Sequence, residues 1–144
     1  MTDQIHIRST KPDDIDKLAE FIVPFVEQEK ILPRTSEELD ILVETGFVAV
    51  EQTDEIVGFA SLEIYSRKLA EIRSLVVAEH RQGIGVGKKL VTACLERARQ
   101  RNILEVMVVT SSDVFFQNCG FDFTLPGEKK ALFIQPHLTD ETSK

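Results

Sequence analysis

A chain of 144 residues buries one core but is too short to divide into two, so a single domain over 1–136 with a polar, fraying tail over 137–144 is expected. A net charge of −7 argues against nucleic acid as the main partner, and no apolar run approaches the ~20 residues of a membrane span. The N-terminus MTDQIHIRST lacks a basic or apolar signal region, and Cys94 and Cys119 stand in no metal or CxxC spacing; the expectation is a cytoplasmic protein without a metal.

Ile5–Arg8 alternates as a short strand. Pro12 and the acidic turn Asp13, Asp14, Asp16 start a helix whose apolar residues Ile15, Leu18, Phe21, Ile22 and Phe25 recur every three or four positions. Pro24 must kink or end it. Thr35 and Glu38 form a capping box for a second helix, Ser36–Glu44, closed by Gly46. Phe47–Glu51 and Ile56–Tyr65 read as strands joined by the polar turn Gln52-Thr53-Asp54, and Leu69–Val77 as a further strand. A helix over Val86–Arg101, a strand over Leu104–Thr110 and a short helix between the cap Ser112 and Gly120 follow, with Phe121–Phe123 and Ala131–Gln135 as closing strands. Early antiparallel strands followed by one strand–helix–strand crossover predict an α/β (α+β) fold with a mixed, mostly antiparallel sheet.

Charge is unevenly placed. Arg81, Lys88, Lys89, Arg97, Arg99 and Arg101 outnumber Glu96 over 81–101, whereas 11–44 is strongly acidic. A local basic patch on an acidic protein suits a small polyanion. The segment LVVAEHRQGIGVGKKLV, residues 75–91, supplies a place for one: alternating glycines Gly83, Gly85 and Gly87 join a strand to a helix, where backbone amides and the positive end of the helix dipole converge. Nucleotide motifs fail on spacing. A Walker A loop ending at Gly87-Lys88 requires glycine at Gln82 and Ser or Thr at Lys89. A dinucleotide fingerprint requires a third glycine at Lys88 or Leu90.

The pattern Gln82-x-x-Gly85-x-Gly87, with Gly83 as an additional glycine, follows a strand ending Val76-Val77 and precedes a helix, a strand and a helix ending Cys119-Gly120-Phe121. It resembles the pyrophosphate loop of the GNAT acyl-CoA N-acetyltransferases, and the order of elements matches that family over roughly the whole chain. The resemblance implies the GNAT fold, with helices on both faces of the sheet, and acetyl-CoA as co-substrate. Its pyrophosphate is expected on the amides of Gln82, Gly83, Ile84, Gly85, Val86, Gly87 and Lys88. Its pantetheine arm is expected to pair with Leu75, Val76 and Val77 like an extra strand, and Lys88 and Arg81 to meet the adenosine phosphates.

Acetyl transfer requires a neutral amine, a polarised thioester and a thiolate that can leave. Glu71 lies in mid-strand and by alternation shares a face with Arg73, Leu75 and Val77. It reads either as a general base or as a carboxylate paired with Arg73 or Lys68. It also resembles the position where histone-type members carry a catalytic glutamate. The backbone N–H of Leu75 or Val76 is expected to stabilise the oxyanion. Many members carry a tyrosine four residues before the glycine of the Gly-Phe pair; here Phe116 stands there, and the one tyrosine, Tyr65, lies on another strand. Protonation of the thiolate by Ser112 or water, or unassisted departure, remain alternatives.

Three segments narrow the acceptor: Gln28 to Leu39, Phe115 to Phe121, and Leu125 to Lys130 resemble the acetyltransferase domain of N-acetylglutamate synthase. That resemblance implies the α-amine of glutamate as acceptor and a place in arginine biosynthesis. Arg34 and Lys68, with Arg73, are the expected carboxylate-binding cations. The alternatives are another small amine, a protein amine, or a non-catalytic acyl-CoA-binding module. Family members often form homodimers, but no segment here points to a particular interface.

Overall fold

The computed structural model describes residues 4–124 and 126–137. Four strands pair in sequence order and a crossover adds the fifth. The elements are β1 (His6–Ser9), a 3₁₀ turn Pro12–Asp14, α1 (Ile15–Phe21), α2 (Val23–Glu27), α3 (Ser36–Glu44), β2 (Gly46–Val50), β3 (Ile56–Ile64), β4 (Leu69–Val77), a 3₁₀ turn Glu79–Arg81, α4 (Val86–Gln100), β5 (Glu105–Met107) and α5 (Asp113–Asn118). The sheet order is β1-β2-β3-β4-β5, antiparallel as far as β4 and parallel between β4 and β5. The chain divides into two compact units between Ser111 and Ser112. The sheet and α1 to α4 lie in the first, α5 in the second.

Local chemistry sets the boundaries. The first helix breaks at Ile22, and Pro24 sits in the first turn of α2, where its missing N–H has no intrahelical partner to lose. The Thr35 hydroxyl accepts from the Glu38 amide at 3.1 Å while the Glu38 carboxylate accepts from the Thr35 amide at 2.8 Å, which completes the capping box. On one face of the sheet, Leu18, Ile22, Phe25, Leu39, Leu42 and Val43 from α1 to α3 pack with Val48, Phe59 and Val76. On the other face α4 closes down on Gly58, where a Cβ would stand 3.0 Å from Leu90 Cδ1 and 3.3 Å from Val86 Cγ1. Gly58 therefore sets how near the start of α4 comes to the sheet. Arg8 donates two bonds to the buried Asp14, at 2.9 and 3.0 Å, and ties β1 to the following turn.

Two features depart from the sequence reading. The first is a β-bulge. Phe59 pairs with Val76 and Ser61 with Arg73, so β4 uses three steps where β3 uses two, and Ser74 adopts φ +60°. Glu71 and Arg73 therefore share their face with Val76, not with Leu75 and Val77 as simple alternation predicts. The second lies at the C-terminus. Phe121–Phe123 and Ala131–Gln135 are not strands, and β5 is shorter than expected. An apolar pattern becomes a strand only where a neighbour supplies the ladder, and Leu132, Phe133 and Ile134 are exposed instead. The expected tail lies outside the described residues beyond His137.

Candidate active site

Two consequences of the topology converge at the C-terminal half of β4. β5 pairs with β4 only over Leu69 to Glu71, so the edge of β4 from Ile72 to Val77 has no strand beside it among the described residues. Beyond that edge the chain turns through Glu79–Arg81 into the glycine loop. Gly83 and Gly85 have φ of +82° and +90°, and a Cβ on either would meet nothing within 4 Å. Backbone conformation and an open face, not packing, are what glycine serves there. Gly87 is an ordinary helical residue in the first turn of α4, so only two of the three alternating glycines need a positive φ.

Among the described residues the amides of Gly83, Ile84, Gly85, Val86, Gly87 and Lys88 donate no hydrogen bond. The Gln82 amide, expected in the same set, is turned to the Glu79 carbonyl at 3.3 Å, and the Gln82 side chain donates to the Val77 carbonyl at 3.0 Å. Gln82 thus fastens the loop to the end of β4. The first turn of α4 holds no acidic residue but carries the exposed Lys88 and Lys89, so cations are added to the positive end of a helix dipole. That arrangement is unfavourable by itself and suits a bound polyanion. Arg81, the other expected phosphate contact, is committed elsewhere: its guanidinium bonds Glu51 at the end of β2. The residues present thus fit the pyrophosphate of acetyl-CoA: an open cradle of amides, two lysines and a free strand edge for the pantetheine arm.

On the α1–α3 face, a polar ladder runs outward from the core along β3 and β4. Phe59 and Val76 are buried, then Ser61 lies opposite Arg73 and Glu63 opposite Glu71. Ser61 is buried and donates to the Leu42 carbonyl at 3.0 Å. Two carboxylates directly across an antiparallel pair repel unless each finds a partner. Arg73 bonds Glu63 at 2.8 Å. Glu71 receives the Tyr65 hydroxyl at 2.5 Å. That bond, followed by burial, pushes the Tyr65 phenol up to about 12. Arg73 feels the charge of Glu71, but neither it nor Lys68 forms an ion pair with that carboxylate. Lys68 is exposed in the β3–β4 turn, where its amide donates to Ser66 and its carbonyl accepts from Glu105.

Arg34 precedes the cap of α3 and reaches the bulge, donating to Ser74 Oγ at 3.3 Å. Its Nε is buried and has no hydrogen-bond partner. Ser74 and Leu75 have no partner in register on β3, whereas Val76 and Val77 do. Ser112 opens the second unit before α5, and its hydroxyl does not cap that helix. Phe116 is buried in the same unit, edge-on to Phe115 at 4.9 Å and to Phe121 at 5.5 Å. Cys94 is fully buried, with its thiol pushed up to about 12 by desolvation, which marks it as packing. Among the described residues no group of His, Cys, Asp and Glu is arranged to hold a metal, and no helix is long and apolar enough to cross a membrane.

Sequence reasoning brought together Glu71, Arg73 and the glycine loop but missed Tyr65, Glu63, Ser74 and Gly58. The hairpin register carried a signal for the first two: once Ser66 to Lys68 is placed as a turn, Glu63 falls opposite Glu71 and Tyr65 lies beside it. Nothing in the residue pattern marks Ser74 or Gly58, whose roles depend on neighbours distant in sequence.

Comparison with known proteins agrees with the fold. An amino-acid acetyltransferase of Pasteurella multocida is 28% identical over 86% of this chain, and the chain spans only 29% of that relative's length. An uncharacterised N-acetyltransferase of Chlorobaculum tepidum is 27% identical over 80% of this chain and 74% of its own. Among solved structures, N-acetylglutamate synthase from Neisseria gonorrhoeae, complexed with coenzyme A and N-acetyl-glutamate, superposes with a TM-score of 0.76 at 23% identity over 99% of this chain and 33% of that one. A Mycobacterium tuberculosis protein solved with CoA superposes at 0.73 and 22% identity, covering 96% and 81% of the two chains. Both share the fold. The sequence model of the acetyltransferase (GNAT) family matches residues 14–121, more than half of the chain, and the chain belongs to that family.

Proposed function

We propose that this acetyltransferase moves the acetyl group of acetyl-CoA to the α-amine of an acidic amino acid, with glutamate the first choice. The observation that carries the acceptor is Arg34: a guanidinium beside the β4 bulge whose buried Nε has no partner, on the side of the sheet that carries Glu71. A buried cationic donor left unsatisfied is unfavourable, and a carboxylate is the group that satisfies it best. The names of relatives, amino-acid acetyltransferase among them, support the same class.

In this reading the amides from Gly83 to Lys88, with Lys88 and Lys89, bind the pyrophosphate, and the open edge from Leu75 to Val77 orients the pantetheine arm. The amide of Leu75 or Val76 faces the thioester carbonyl, where it stabilises developing negative charge. Glu71 takes the proton of the amine and so provides the neutral nucleophile. The departing thiolate takes its proton from water or leaves unassisted. Arg73 acts through Glu63, keeping the second carboxylate of the ladder from competing with Glu71.

A second reading rests on that same ladder. Glu63 opposite Glu71 is a carboxylate pair that also suits a cationic acceptor such as a polyamine or a lysine side chain. Thiol release from acetyl-CoA against a panel of acidic amino acids, polyamines and lysine peptides separates the two. Glutamate or aspartate is expected to be turned over, and Glu71→Gln to lower kcat by roughly 10²–10⁴. Release with spermidine but not with glutamate overturns the acidic acceptor. A wild-type rate in Glu71→Gln removes Glu71 as the base. Tight CoA binding without release for any amine favours a binding module.

A further inference from the structure

We infer that Tyr65 is the positioning residue for Glu71: its hydroxyl holds Oε1 of the carboxylate in place and leaves Oε2 to meet the acceptor amine. The inference rests on the reading of Glu71 as base. Its own evidence is the 2.5 Å contact between the Tyr65 hydroxyl and Glu71 Oε1, together with the absence of any hydrogen bond to Oε2 among the described residues. The turn is built to deliver it. The amides of Tyr65 and Ser66 both donate to the Leu69 carbonyl, at 3.0 and 3.2 Å, which closes the hairpin and brings Tyr65 back beside Glu71.

The choice of partner matters chemically. An Arg or Lys on Glu71 would fix it equally well but would set a full positive charge against the proton it must accept. A phenol donates one strong, charge-assisted hydrogen bond and carries no charge, so it orders a freely rotating glutamate without neutralising it. The adjacent carboxylate shows the contrast: Glu63, one register position across, is the one that takes the arginine. The charged groups around the Tyr65–Glu71 pair are Glu63 on β3, Arg73 on β4, Glu105 beside Leu69 on β5, and Arg67 and Lys68 in the turn. Tyr65 keeps its proton throughout; the proton of the amine goes to Glu71. This is a different role, in a different part of the fold, from that of a tyrosine protonating the leaving thiolate.

The test uses a property of the composition. The chain has one tyrosine and no tryptophan, so near-ultraviolet phenolate absorbance reports Tyr65 alone. In the wild type the phenolate is expected only near pH 12. In Glu71→Gln it is expected to appear nearer the ordinary value of about 10. Tyr65→Phe, which keeps the ring and removes the hydroxyl, is expected to lose roughly tenfold or more in kcat. KM for both substrates is expected to stay unchanged, a split that general loosening of the hairpin does not produce. Identical phenol titrations in the wild type and Glu71→Gln overturn the inference, and so does a wild-type kcat in Tyr65→Phe. If circular dichroism shows that Tyr65→Phe is misfolded, the titration pair still decides whether the bond exists. A fully active Glu71→Gln defeats the base assignment itself, whereas an inactive Glu71→Gln beside an unaffected Tyr65→Phe leaves the base in place and defeats only the positioning role.

Discussion

Replacing Arg34 with methionine separates what that residue does for folding from what it does for the substrate. Met keeps a long unbranched side chain and removes the guanidinium. In the free protein Arg34 has a buried Nε without a partner and a single bond to Ser74 Oγ at 3.3 Å, long for a hydrogen bond. An unsatisfied buried donor costs about 1–3 kcal/mol, and the long bond offsets less than about 1 kcal/mol of that. Arg34→Met is therefore expected to stabilise the free protein by roughly 1 kcal/mol, a rise of about 2–4 °C in Tm for a chain of this size. The effect on the substrate runs the other way. Loss of a charge-assisted bond to a carboxylate, about 1.5–3 kcal/mol, raises KM for glutamate by roughly 10- to 100-fold. KM for acetyl-CoA is not expected to move. Thermal unfolding followed by circular dichroism and steady-state thiol release measure the two sides. Destabilisation by more than about 1 kcal/mol would show that Arg34 is a structural residue with its donors satisfied. An unchanged KM for glutamate places the acceptor carboxylate elsewhere.

Gly85→Val forces a β-branched residue to φ +90° with nothing within 4 Å of its Cβ, so the expected loss of stability is only the backbone term, about 1–2 kcal/mol, in urea unfolding. Its acetyl-CoA Kd, by isothermal titration, is expected to weaken by at least about tenfold because the amides can no longer close on phosphate; an unchanged Kd rejects the pyrophosphate site. Asp14→Asn is expected to cost roughly 2–3 kcal/mol at neutral pH, below the full value of a buried pair because Arg8 keeps 27% of its side chain in solvent. The bond from Arg8 holds the Asp14 carboxyl below the usual carboxylate range, so its contribution is present above the unfolded value near 4 and is lost as pH falls through the lower folded value. The gap between wild type and variant should accordingly shrink in urea melts at acid pH, and a gap independent of pH refutes the assignment.

The parts of this molecule that were legible in its sequence are those fixed by neighbours close along the chain. The capping box at Thr35 and Glu38, the break at Pro24 and the span of β4 follow from residues within a turn or a few strand positions of one another. The glycine loop was legible for the same reason, since its conformation is local. The bulge was not. One extra residue in β4 is set by how β3, β4 and the surrounding helices pack, and its effect is to re-aim every later side chain of the strand. Arg81 failed similarly: its charge suggested a phosphate, but Glu51, far away in sequence, reaches it first. The apolar pattern of Ala131–Gln135 specified a strand without specifying a partner for it.

In the proposed reading, the bulge is also what fits β4 for chemistry at this place. In an unbroken ladder each N–H of β4 on the β3 side is consumed by β3, and each one on the far side by β5. Here the fold gives up both constraints within a few residues. β5 departs after Glu71, which frees the outer edge, and the bulge removes Ser74 and Leu75 from the register with β3. The energetic burden is small, a single non-glycine residue at φ +60°, of order 1–2 kcal/mol. For that strain the strand takes Ser74 and Leu75 out of register with β3, and the Ser74 side chain meets Arg34. A regular strand of the same sequence would turn Leu75 and Val77 to the face of Glu71 and would leave Arg34 without Ser74 as a contact. In the proposed reading, the acceptor cation Arg34, the base Glu71 and the oxyanion donor all meet β4 around this one bulge, which makes Ser74, more than any of the charged residues, the position on which that reading depends.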